Sequence, residues 1–143
     1  MALDAAPRPV ALLLRAPVFG VAARLALTAA YWWGGIAKLA DFPAALDEAR
    51  HFGLEPAPLV VAATIAVELG GSVLLVVGRF VWLAAGALGV FTALATLIAH
   101  RFWTIGDPAE HFRTLNTFLE HIGLIGGLAL AAVDAELRRP HRP

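Results

Sequence analysis

The chain contains no cysteine among its 143 residues. Disulfides, thiol redox chemistry and thiolate metal sites are excluded together. Charge is scarce as well, since only 15% of residues are charged, and 11 basic residues balance 11 acidic ones. A formal net charge of +0 provides no basic field to draw nucleic acid, so a nucleic-acid partner is excluded. No run alternates apolar and polar residues with period two, and no internal repeat or low-complexity tract is present, which excludes a β-barrel and a repeat array. The glycines of "ELGG" and "GLIGG" follow no strand, so they read as close-packing residues rather than a nucleotide loop. The N-terminal "MALDAAPRPVALLLRAP" has Asp4, three prolines and no small-residue cleavage pattern, so a removable signal peptide is not expected.

What is present is apolar, at 59% of residues. Crossing a hydrocarbon core takes about 20 helical residues, and four stretches of that length stand out. They run roughly over 17–39, 57–77, 80–99 and 115–133. The expected fold is all-α, an antiparallel four-helix transmembrane bundle forming a single domain over 1–143. "GRF" between the second and third spans demands a tight hairpin. The longer connection "ADFPAALDEARHFGLEPAP" suits a short amphipathic interfacial helix, and Asp107-Pro108 marks a turn or helix start before the fourth span.

Basic residues in short loops favour the cytoplasmic side. Arg8, Arg15, Arg79, Arg138, Arg139 and Arg142 fall on one side, against Lys38, Arg50, Arg101 and Arg113 on the other. The bias places both termini in the cytoplasm of a multi-pass protein of the inner (plasma) membrane, among membrane lipids.

Each span carries one polar or small stripe at steps of three and four. The stripes are Arg24, Thr28, Tyr31, Gly35 and Lys38; Thr64, Glu68 and Gly71 or Ser72; Gly89, Thr92, Thr96 and His100; and Asn116, Glu120, Gly123 and Gly127. Pointed inward, they form a polar seam. Charge within a span costs about 2.5 to 3.5 kcal/mol, so each ionisable residue needs a partner or a purpose. Counted at about 1.5 Å per residue from the acidic side, Arg24 lies roughly 22 Å deep, Glu68 roughly 16 Å and Glu120 roughly 8 Å, with Lys38 at the edge. These depths predict Arg24–Glu68 and Lys38–Glu120 ion pairs, with Tyr31 between them and Asn116 and His121 near the outer one. His121, one residue beyond Glu120, points about 100° away and reads as interfacial. The seam either fixes helix register or opens as a pocket for a polar headgroup, a quinone or a proton path. His51, His100 and His111 on the acidic side are weak metal candidates, because no two share a compact ligand spacing on one helix.

Three blocks resemble the DoxX family of small bacterial and archaeal membrane proteins. "RLALTAAYWWGGIAKLAD" is similar to its first-helix pattern through Arg24, Trp33, Gly34, Gly35, Lys38 and Asp41. "ELGGSVLLVVGR" resembles the second through Glu68, Gly70, Gly71 and Gly78, and "FLEHIGLIGGL" is similar to the fourth, where relatives often carry Lys-Asn at the place of Glu120-His121. The resemblance implies a four-helix membrane protein associated with quinol oxidase, thiosulfate:quinone oxidoreductase or other membrane redox and stress-response systems. Without cysteine or any haem, flavin or nucleotide motif, the expected role is an accessory or scaffold subunit of such a complex. It would have no catalytic activity or cofactor of its own and would dock other membrane subunits. The alternatives are a protein that binds a quinone or small lipid-like ligand through Arg24, Tyr31 and Glu68, and a small carrier.

Overall fold

The computed structural model describes residues 6–138, all of whose regular structure is helical. Arg139 and Arg142, which enter the orientation bias, lie outside the described residues, as does Asp4. Helix α1 spans Arg8–Arg15 and α2 spans Pro17–Ala40. They meet at a 67° bend. The bend follows from Pro17, which lacks an N–H and drives the preceding residue out of the helical region; Ala16 sits at φ −69°, ψ 126°. α1 buries none of its residues, and the apolar pattern alone does not predict this short helix.

Helix α3, Phe42–His51, begins where the Asp41 carboxylate accepts from the Ala44 N–H at 3.1 Å. It is amphipathic, as expected. Ala45 and Ala49 are buried against Ala57 and Val61, so the helix is pinned to the protein as well as facing outward. Helix α4 spans Ala57–Val77 and contains a π turn, Ala66–Gly70, that the apolar pattern did not reveal. Gly78, at φ +78°, ends it in the left-handed conformation that glycine adopts without strain.

Helix α5, Val81–Ala99, returns along α4 after three residues, and a 3₁₀ turn at Phe102–Thr104 leads on to α6, Pro108–Leu137. α6 starts earlier and ends later than the expected 115–133. Asp107 accepts from the Glu110 N–H at 2.8 Å and Pro108 presets the first turn, so the polar "AEHFRT" is helical although it is too polar for hydrocarbon.

α5 packs most extensively on α6, and α4 packs on both α2 and α5. The main core gathers Tyr31, Leu75, Val81, Ala84, Ala85, Leu88 and Leu128 from all four long helices. Close approach depends on missing side chains: a Cβ on Gly71 would come within 2.8 Å of Leu88, and one on Gly127 within 2.8 Å of Leu27. Among the described residues, three helices, α4, α5 and α6, are long and apolar enough to cross a membrane, or four if the bent α1–α2 pair counts as one span. α2 fails alone because Arg24, Tyr31, Lys38 and its glycines dilute its apolar character.

Candidate functional site

Glu68 lies within the π turn of α4 and is only 4% exposed. Its partner is Lys38 of α2, whose ammonium donates to both carboxylate oxygens at 3.2 Å and to the Gly34 carbonyl at 3.5 Å. Gly34 and Gly35 make room for this contact. A Cβ on Gly34 would stand 2.8 Å from Glu68 Oε1, and one on Gly35 2.6 Å from Leu69. The Ser72 hydroxyl donates to the Glu68 carbonyl at 2.6 Å, satisfying one of the carbonyls that the π turn redirects.

The pairing differs from both expected ion pairs. Arg24 does not reach Glu68; its Nη1 lies 2.8 Å from the place of a Cβ on Gly78, at the C-terminal end of α4. The Cα–Cβ bonds of a helix tilt toward its N-terminus, so both cations of α2 reach toward the helix start. Lys38 thereby descends to Glu68, and Arg24 lies at the C-terminal end of α4 beside Gly78, where positive charge is favourable. Glu120 pairs with neither cation, because it and Asn116 are exposed on the outer face of α6. The inward face of α6 is set one residue on, at His121, Leu124 and Leu128. His121, expected at the interface, instead bonds through Nδ1 to Thr96 Oγ1 at 2.7 Å.

These groups surround a cavity of about 480 Å³. Its polar wall holds Tyr31 and Lys38 from α2, Glu68 and Thr64 from α4, Thr92 from α5, and His100 with His121 at one side. The remaining wall is mainly apolar, with Val61, Phe91 and Leu124 among its residues, and α3 contributes Ala45, Ala49 and the carboxylate of Glu48. The Tyr31 hydroxyl bonds Thr92 Oγ1, and its ring meets Phe91 edge-on at 6.4 Å. Tyr31, Lys38 and Glu68 are thus gathered at one cavity, while Arg24, Asn116 and Glu120 do not line it.

Of the three histidines weighed for metal, only His100 lines the cavity, its ring edge-on to His121 at 4.9 Å. His51 meets Phe52 edge-on, and His111 meets Phe102 in the same way. Among the described residues, no three His, Asp or Glu side chains are gathered as a metal site. His121 and Glu48 are the polar wall residues that helical spacing did not pick out. A signal for His121 existed in its i, i+3, i+7 register with Leu124 and Leu128, but the more polar neighbouring stripe overshadowed it.

A family model described as DoxX matches residues 19–101, which carry α2 to α5 and every cavity group except those of α6. No curated protein matches the chain, and no solved structure does.

Proposed function

From the premise that this chain belongs to the DoxX family of membrane proteins, we propose that it holds a small lipid-like or quinone-headed ligand between its helices. The observation that carries this reading is the cavity. Its volume of about 480 Å³ falls in the range of small-molecule sites, and a largely apolar wall with a few convergent polar groups is the usual make-up of such sites. Lys38 and Glu68 are joined to each other there, so a neutral headgroup enters without leaving a bare charge. In this reading α2, α4, α5 and α6 cross the plasma membrane as an antiparallel bundle. Both termini and Arg79 are cytoplasmic, and the cavity lies toward the opposite side.

The test is extraction of lipophilic molecules from protein purified in mild detergent. A stoichiometric ligand that is lost in Glu68→Gln supports the reading, and protein that purifies empty and takes up no added quinone or lipid analogue sinks it.

A second reading, that of an accessory subunit of a membrane redox complex without a reaction of its own, is favoured by α6. Only 6% of its most apolar stretch is buried, against 28% for α4 and 33% for the helix over Val81–Thr104. Asn116 and Glu120 stand on that open face, and a Cβ added to Gly123 or Gly126 would meet nothing within 4 Å. Ionisable residues in spans normally face a protein interior, which for Glu120 is one that a further subunit would supply. Purification that always yields a lone monomer, with Glu120→Leu behaving as wild type in cells, counts against it.

A further inference from the structure

The hydroxyl protons of Thr92 and Thr96 are both committed within α5. Thr92 Oγ1 donates to the Leu88 carbonyl at 2.7 Å, and Thr96 Oγ1 donates to the Thr92 carbonyl at 2.6 Å. A carbonyl oxygen only accepts, and a threonine hydroxyl has one proton. Each threonine oxygen therefore accepts from its second partner. For Thr92 that partner is Tyr31, whose O–H must point at Thr92 and whose oxygen is left with lone pairs alone. For Thr96 it is His121 Nδ1 at 2.7 Å, so Nδ1 carries the proton and, in the neutral ring, Nε2 is a bare acceptor. The three N–H groups of Lys38 are already directed at the two Glu68 oxygens and the Gly34 carbonyl.

We propose that the cavity is specific for a hydrogen-bond donor, an amphiphile whose headgroup is a phenol or a similar hydroxyl-bearing ring. Tyr31, His121 and Glu68 are the acceptors open to its hydroxyl proton, and Thr92 and Thr96 act as positioning residues that fix the first two as acceptors. The inference rests on the ligand-binding reading above and narrows it to a lipid-like ligand with a hydroxyl headgroup, against the quinone. It departs from the sequence expectation of a quinone held through Arg24, Tyr31 and Glu68. The uncommitted donors on the wall are the Thr64 hydroxyl and one N–H of His100, against acceptors on Tyr31, His121, Glu68 and Glu48. A carbonyl headgroup set among those acceptors leaves lone pairs facing lone pairs, and an unmatched buried acceptor weakens binding by roughly tenfold or more. The rings of Phe91 and Tyr31 and the apolar wall suit an aromatic ring with an alkyl tail.

The test uses the full chain in lipid nanodiscs and compares 4-decylphenol, 4-decylanisole and decylbenzoquinone by calorimetry. The anisole keeps the ring and tail but has no donor. Tighter binding of the phenol, by roughly tenfold over both others, is expected. Equal binding of all three overturns the donor reading while leaving the cavity reading intact, and binding of none overturns both. Nitrogen NMR of histidine-labelled protein should show His121 as the Nδ1–H tautomer, and an Nε2–H tautomer would refute the assignment without any variant. Thr96→Val should narrow the preference of the phenol over the quinone by releasing His121 to either tautomer, and an unchanged preference in the folded variant would refute the positioning role.

Discussion

Lys38→Met leaves the Glu68 carboxylate buried without its cation, a loss expected to cost about 3–5 kcal/mol, whereas Lys38→Met with Glu68→Leu together should recover most of it. Unfolding in mixed detergent micelles measures both, and additive effects of the two single changes would show that the ion pair is not the coupling. Gly34→Ala should mimic part of the loss by pushing on Glu68 Oε1, while Gly123→Ala, which adds a methyl in open space, should be neutral or slightly stabilising. At this scale the sequence was legible where polarity and smallness coincide on one face. Thr28, Tyr31 and Gly35 recur at helical steps on α2, and all three are buried. It was illegible on α6, where Asn116-Glu120-Gly123 and His121-Leu124-Leu128 are stripes one residue apart; packing chose the second. The misassigned ion pairs have another origin. Depth counted from the end of each span assumes that the spans start level, whereas Glu68 stands beside Gly34 and Gly35, one turn below Lys38 and about 15 Å along α2 from Arg24.

Helix lengths were the most readable feature, because hydrocarbon thickness and the apolar runs agree for α4 and α5 to within a residue or so. Two devices escaped. A π turn leaves no composition signal, since "AVELG" is as apolar as an ordinary turn of helix apart from the glutamate it displays. α6 exceeds its apolar stretch because a cap, not hydrophobicity, sets its start. Deleting Val67 should let α4 close as a regular helix and rotate everything beyond it relative to Glu68, parting Gly71 from Leu88; loss of folded protein on size exclusion is expected, whereas a fully stable deletion would deny the turn a structural role. Gly78→Ala combines a left-handed cost of about 1–2 kcal/mol with a collision at Arg24, so it should destabilise more than Gly86→Ala, where nothing lies within 4 Å. Equal thermal midpoints for the two variants would contradict this.

The whole molecule offers a clean topology experiment, because a cysteine-free chain needs no background removed. Single cysteines at Arg79, in the α4–α5 turn, and at Gly106, before α6, should label from opposite sides of sealed vesicles with an impermeant maleimide, and labelling from one side would sink the antiparallel arrangement. A different consequence follows from the 67° bend before Pro17. α1 carries Val10, Leu12, Leu13 and Leu14 exposed between Arg8 and Arg15, and it is joined to α2 through Ala16 alone. In the membrane-spanning arrangement proposed above, these eight residues form an arm about 12 Å long that floats at the cytoplasmic interface like an outrigger. Rocking the bundle one way would lift its leucines into water, and rocking it the other would press its arginines into hydrocarbon, so the arm resists tilt in both directions. It precedes the stretch that matches the family, 19–101. In that arrangement the arm and the stretch that matches the family are separate parts of one chain.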